Sequence, residues 1–330
     1  MRRFFVKFFS LLTAITLVMP LSGCLEEFDF TEDYGAKDST TAALSSQTTA
    51  YIRTNFDISE NPYYAMLSEN EKNAYSQIFE ELFAGNSQFE CKVSVSADEI
   101  SKAIDAVLYD HPELFWLDNT YSYTYDPETG DIRELTFDFF DFADTPEKLE
   151  AAKTQFNAVA DSIVVQALQY STTVERELFI HDYICENTEY DASGPYNQSA
   201  YSVLVLHESV CAGYTRAFQY LMQRLGVTCY YVTGRTDGMG GSDSDGSHSW
   251  NMVAIDGEFY NIDCLWDDTA SEAYGSMIYP FFNVTDEGLV YHARIEMAYY
   301  LPSCTATEYK YSNQFGDTIE ADSIVFEDAA

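Results

Sequence analysis

From residue 68 to residue 185 the apolar positions alternate between a helical period and a two-residue period. Ser68-x-x-Glu71 is a capping box; after it Tyr75, Ile78, Phe79, Leu82 and Phe83 share one helical face, and Gly85 supplies a stop. Ser96-x-x-Glu99 opens a second helix on which Ile100, Ile104, Val107 and Leu108 align, and His111-Pro112 closes it. Tyr121, Tyr123 and Tyr125 then alternate with polar residues, as do Leu135, Phe137 and Phe139 beyond the turn Asp126–Gly130, so a hairpin is expected. Thr145-Pro146-Glu147 starts a long helix carrying Leu149, Phe156, Val159 and Ile163, with proline at its first position. Thr172-x-x-Glu175 starts another, from about Val174 to Cys185, on which His181 is expected to be structural. Farther on, Phe218, Leu221, Met222 and Leu225 lie on one helical face that ends at Gly226. Asp256-Gly257, between Trp250–Ile255 and Glu258–Ile262, is a two-residue hairpin signal.

The first residues follow neither period. Arg2, Arg3 and Lys7 flank an apolar run from Phe8 to Leu21, interrupted only by Ser10, Thr13, Thr16 and Pro20. The run is shorter than the ~20 residues of a comfortable membrane span and has the form of an export signal. It ends in Leu21-Ser22-Gly23-Cys24, which resembles the lipobox of bacterial lipoproteins. That resemblance implies removal of residues 1–23 and lipidation of Cys24, hence anchoring at the extracellular face of the bacterial cell membrane. Several acyl chains are enough for this, because each buried methylene contributes ~0.8 kcal/mol. An ordinary signal with an incidental cysteine is the alternative. Residues 24–50 are rich in Glu, Asp, Ser, Thr and Ala and read as a flexible tether. Residues 51–170 read as a small α+β domain and 171–330 as a second domain.

Charge narrows the partners. The chain has a formal net charge of −37, and removal of residues 1–23 leaves 14 basic against 54 acidic residues, a net −40. Nucleic acid is thereby disfavoured as a ligand, and so is an anionic lipid surface. There is no C-x-x-C pair for a zinc ribbon, and the pattern implies neither a metal nor a cofactor. With Cys24 set aside for lipid and Cys211 for chemistry, Cys91, Cys185, Cys229, Cys264 and Cys304 remain, an odd set expected mostly as small buried hydrophobes. One disulfide among them stays open. The acidic stretch Asp237–Gly246 suggests calcium, but as an EF-hand loop it would place Gly241 and Met252 where oxygen ligands belong; it reads as a mobile loop.

The chemistry concentrates in Ser209–Asp268. Cys211 lies at the start of the Phe218–Leu225 helix, where unpaired N–H groups and the helix dipole stabilise a thiolate and its own N–H can meet an oxyanion. If Asp256-Gly257 is the loop, Ile255 pairs with Glu258, Trp250 with Asp263, and His248 with Leu265. His248 and Asp263 are then diagonal neighbours on one face, about 7–8 Å apart along the backbone, a gap an imidazole can bridge. A helix-start cysteine, a histidine and an orienting carboxylate are the parts of an activated thiol nucleophile.

The segments Val210-Cys211-Ala212-Gly213-Tyr214, His248-Ser249-Trp250-Asn251 and Asp263-Cys264-Leu265-Trp266-Asp267 resemble the core of the transglutaminase-like superfamily, with Cys-to-His and His-to-Asp spacings of 37 and 15 residues. In the papain family the histidine lies ~130–150 residues downstream, so papain itself does not fit. Tyr190-Asp191, Asn197–Tyr201 and Tyr279–Asn283 carry the same likeness, which spans roughly residues 175–285. The resemblance implies an α+β, papain-like fold with the nucleophile helix packed on an antiparallel sheet, preceded by the small α+β domain. It also implies a Cys211–His248–Asp263 triad, with Gln198 as an oxyanion-hole candidate and Tyr214 and Trp250 shaping the site. Three functions follow: a cysteine protease or amidase on protein or cell-wall peptide, a protein-glutamine transglutaminase, and a non-catalytic binding module on the same fold. Family analogy favours hydrolysis.

Overall fold

The computed structural model of the chain describes residues 4–7, 61–236 and 246–324. The rest of the expected export signal, Cys24, the expected tether and residues 237–245 of the glycine-rich loop lie outside the described residues.

Phe4–Lys7 (β1) lies inside the predicted export signal. Pro62–Ala65 (α1), Glu69–Phe83 (α2), Gln88–Glu90 (β2), Ala97–Asp110 (α3), Leu117–Tyr125 (β3), Ile132–Phe139 (β4) and Pro146–Ala167 (α4) follow. The capping boxes at Ser68 and Ser96 both close, and Thr145 caps α4 ahead of Pro146. Each such cap contributes about 1 kcal/mol by satisfying N–H groups that the helix cannot. The tyrosine strand forms its hairpin, with Tyr125 opposite Ile132, Tyr123 opposite Leu135 and Tyr121 opposite Phe137. It sits in an antiparallel sheet of order β1-β3-β4-β2. Removal of residues 1–23 would take β1 away and leave β3 as an edge.

The second part contains Thr173–Asn187 (α5), Glu189–Tyr190 (β5), Glu208–Ser209 (β6), Cys211–Arg224 (α6), Cys229–Thr236 (β7), Ser247–Ile255 (β8), Glu258–Ile262 (β9), Cys264–Tyr274 (α7), His292–Arg294 (β10) and Tyr311–Gln314 (α8). Its main sheet is antiparallel, of order β10-β7-β8-β9. Helix α6 packs on β7 and β8, with α5 and α7 beside it. The face of α6 read from the sequence is the one that packs: Phe218, Leu221, Met222 and Leu225 are all buried. Burial of each such side chain contributes roughly 1.5–3 kcal/mol. This is the α+β arrangement expected of the core, a nucleophile helix on an antiparallel sheet.

The two parts share one continuous core of buried side chains that runs from Tyr63 to Ala321. Tyr63 donates its hydroxyl to Tyr231 O (2.5 Å), Gln219 Nε2 donates to Tyr109 O (2.9 Å), and Ser199 Oγ donates to Phe115 O (2.6 Å). Tyr109 of α3 stacks on Tyr231 of β7 at 5.3 Å, with rings 3° from parallel. These contacts set the C-terminal end of α3 against the mouth of the second part. Among the described residues no helix is long and apolar enough to cross a membrane. All six described cysteines are free thiols.

Candidate active site

Helix α6 begins at Cys211. Val210 is its N-cap, in extended conformation, and no side chain caps the helix. The first-turn N–H groups of Cys211 and Ala212 therefore have no helical carbonyl to bond and no capping oxygen. Gly213 explains how close this turn comes to the preceding loop. A Cβ there would lie 1.9 Å from Ser209 Oγ, 2.8 Å from Asn197 O and 3.0 Å from Ser199 O, so any side chain would push the 197–199 segment off the helix.

The hairpin of β8 and β9 turns at Asp256-Gly257, both at positive φ, and Ile255 pairs with Glu258. Counting outward from that turn gives the register read from the sequence: Asn251 opposes Ile262, and His248 and Asp263 face the same side. His248 Nε2 lies 2.5 Å from Asp263 Oδ2. Since Nε2 is used there, Nδ1 is the nitrogen available to the thiol of Cys211, with which His248 is hydrogen-bonded. Asp263 is also the N-cap of α7, its Oδ1 accepting from Trp266 N at 3.0 Å. One carboxylate thus closes a helix with one oxygen and orients the imidazole with the other. The sequence reading missed a fourth group. His292 of β10 places Nε2 3.0 Å from the same Asp263 Oδ2.

Electrostatics follow from this arrangement. Burial alone would raise the Cys211 thiol, but the hydrogen bond and charge of His248, with bonds from Ser249, outweigh it and leave the thiol below its usual value. Burial alone would lower His248, yet Asp263 and Cys211 push it up to about 10. Burial alone would raise Asp263, but His248 and then His292 hold it well below the usual carboxylate range. All three shifts run in the direction that favours a thiolate, an imidazolium and a carboxylate. The other thiols go the opposite way: burial pushes Cys91, Cys185 and Cys229 up, Cys264 to about 11 and Cys304 to about 12.

Cys211 and His248 line an open cleft, with Gln198, Ala212, Ser249 and Glu296 among its walls and Leu108 and Tyr109 contributed by α3. Gln198 is therefore in the same cleft as the thiol. Tyr214 is not among the lining residues; its buried hydroxyl lies 2.9 Å from Thr188 O and 2.8 Å from Asp268 Oδ2. Trp250 backs the imidazole, its ring centroid 6.1 Å from that of His248. Several motif residues tie elements together. Asn251 Nδ2 donates to Thr215 O of α6 (3.0 Å), and Asp267 accepts from Phe281 N (2.7 Å) and contacts His181 Nε2 (3.0 Å). His181 is fully buried with Asp182 and Asp267 as partners, the structural role expected of it.

Among the described residues one group has ligand-type atoms close enough for a metal: His248, Asp263 and His292, within 4.8 Å of one another. Contacts of 2.5 and 3.0 Å to a single carboxylate oxygen are hydrogen-bond distances. Donors around a tetrahedral ion would stand farther apart, given metal–ligand bonds of ~2.0 Å.

Residues 157–264, which include all three members of the Cys-His-Asp set, match the family model of the transglutaminase-like superfamily. Among solved structures the chain is similar to a TGase at 14% identity and a TM-score of 0.31, covering 54% of this chain and 50% of that one. It is also similar to a candidate cysteine protease from Cytophaga hutchinsonii, at 14% identity and a TM-score of 0.30, covering 61% of this chain and 71% of that one. This chain thus spans half the length of the TGase. No curated protein matches it.

Proposed function

We propose, from the transglutaminase-like superfamily domain at residues 157–264, that this protein is a thiol acyl-transfer enzyme acting on amide bonds of proteins or cell-wall peptides, held at the outer face of the membrane by lipid on Cys24. The observation that carries the proposal is a thiol at an uncapped helix N-terminus, hydrogen-bonded to a histidine whose other nitrogen is held by a buried carboxylate. Cys211 Sγ attacks the amide carbonyl carbon. Charge develops on the carbonyl oxygen beside the first-turn N–H groups of α6, with Gln198 as a side-chain candidate to assist. His248 Nδ1 gives its proton to the amine nitrogen, the C–N bond breaks and a thioester remains. Water then adds, returns a proton to His248, and the C–S bond breaks. Family analogy favours water as the acceptor. An assay that offers both water and a fluorescent primary amine separates hydrolysis from cross-linking, since only the latter attaches the amine to the acyl donor.

The couple predicts reactivity at a pH where ordinary thiols are inert. A lowered thiol beside an imidazolium that persists to about pH 10 favours the thiolate–imidazolium pair over the neutral one. Alkylation by iodoacetamide with peptide mapping should therefore label Cys211 rapidly at pH 6. The five other described thiols, all shifted upward, should stay unlabelled. His248→Ala should move Cys211 labelling toward pH ~8.5, the range of an unperturbed thiol. Slow wild-type labelling that rises only there would point to the non-catalytic module.

The anchor has its own check. Cells expressing the full chain and fed labelled palmitate should yield a labelled, membrane-associated protein, and Cys24→Ala should abolish the label. A label that survives the substitution rules out Cys24 as the lipidated residue.

A further inference from the structure

The imidazole of His292 is wholly enclosed, its side chain 0% exposed, beside an Asp263 carboxylate that is 2% exposed. Strand pairing fixes where it sits: β10 lies on β7 with His292 opposite Thr236 and Arg294 opposite Gly234, and Gly234 is in turn opposite His248. The ring is boxed by Trp266 (4.3 Å between centroids), Trp250 (5.0 Å), Phe281 (5.7 Å) and His248 (5.2 Å). Within that apolar box its two nitrogens meet two acceptors. Nδ1 is 2.8 Å from Val290 O, and Nε2 is 3.0 Å from Asp263 Oδ2. A carbonyl oxygen only accepts, and an ionised carboxylate only accepts. A singly protonated ring can make one of these bonds and leaves a lone pair facing an oxygen at the other. Both are made together only by the ring that carries two protons.

We propose that His292 is a positioning residue of the site, a charged second donor that fixes Asp263 Oδ2 against His248 and sets the pH range in which the Cys211–His248 pair is ionised. The inference rests on the acyl-transfer reading above. The groups that face His292 are His248 from β8, Asp263 from the β9–α7 junction and the Val290 carbonyl, with Cys211 of α6 beyond His248. Arg294 on its own strand is engaged by Asp286 (2.5 Å), and Asp267 lies behind Asp263 with His181 as its partner. Through this cluster two cations, His248 and His292, share one carboxylate. A carboxylate so shared holds the His248 proton less tightly than it would alone, and that proton is the one the leaving amine must receive.

The test uses His292→Gln, which keeps an N–H donor and loses the charge, and His292→Phe, which loses both. The readouts are the pH profile of Cys211 alkylation and the pH profile of kcat. For His292→Gln both limbs should move to higher pH. The upper limb, which follows His248, should move by about one unit, the scale set by two unit charges ~5 Å apart at intermediate screening. For His292→Phe kcat should fall roughly 10- to 100-fold with KM little changed, the size of one hydrogen bond to an ionised group. If the phenylalanine variant does not fold, the glutamine profile decides alone. A glutamine profile superimposable on that of the wild type, whatever its amplitude, overturns the proposal, because a purely structural role would not move the limbs. So does a stoichiometric divalent metal in the purified wild type whose chelation changes the same profile, since a cation would then replace the protons. A wild type without a thiolate at pH 6 sinks the acyl-transfer reading itself and this inference with it.

Discussion

Replacing Cys211 by alanine should remove the proposed amide turnover, by on the order of 10⁴–10⁶-fold, and leave the fold intact. The loss is large because no other group can act in its place. The neighbouring hydroxyl of Ser249 lies on β8 beside His248 and not at the uncapped start of α6, and each of the five other described thiols is shifted upward. Removing the nucleophile of a comparable triad costs about 10⁶ in kcat, and what is left comes from oxyanion stabilisation and binding alone. The fold survives because Cys211 is only half-buried and its helix is held from the other side by Phe218, Leu221 and Met222. Denaturant unfolding should place the variant within about 1 kcal/mol of the wild type. Residual activity above a hundredth of wild type, in protein of unchanged stability, would assign the nucleophile elsewhere.

The parts of this site that the sequence made legible are those built from local chemistry. Asp256-Gly257 permits positive φ at both positions, so the hairpin register follows from the turn, and with it the meeting of His248 and Asp263. Ser68, Ser96 and Thr172 announce helix starts because a hydroxyl and a glutamate three residues on satisfy each other's backbone. His292 carries no such signal. It sits on a three-residue edge strand that reaches β7 from 56 residues farther along the chain, and nothing in its neighbours reports the pairing. Tyr214 shows the converse. Its place in the Cys-x-Gly-Tyr motif suggested the cleft, but three residues into α6 the helix has already turned it toward Asp268. The part α3 plays in the cleft was equally hidden, since the Tyr109–Tyr231 stack joins residues 122 apart that only the shared core brings together.

Asp263→Asn tests the arrangement most severely, because that carboxylate serves three partners at once. Its Oδ1 caps α7 through Trp266, and its Oδ2 receives His248 and His292. An asparagine can keep one oxygen on one of these tasks and must present an N–H₂ to another. If the amide nitrogen faces His248, Nε2 must accept and the imidazole proton moves to Nδ1, which is the wrong tautomer to take the thiol proton. Neutralising the orienting carboxylate in sites of this kind lowers kcat by about 10⁴, and a loss on the order of 10³–10⁴ is expected here with KM little changed. The pH dependence has a definite sign. Asp263 is the main reason His248 is held up at about 10, so the upper limb should fall, while the thiol should rise toward its unperturbed range as the imidazolium it depends on is lost. The reactive window closes from both sides. Stability behaves separately. Asp263 is held below its unfolded value, so its contribution is present above about pH 4 and is lost as pH falls through its depressed value. The variant should therefore be less stable than the wild type at pH 7, and the difference should shrink in acid. Unfolding measured at pH 7 and pH 3 beside kcat separates the two effects. A variant destabilised at pH 7 but with wild-type kcat and an unmoved pH profile would confine Asp263 to capping α7, and the orienting role would be wrong.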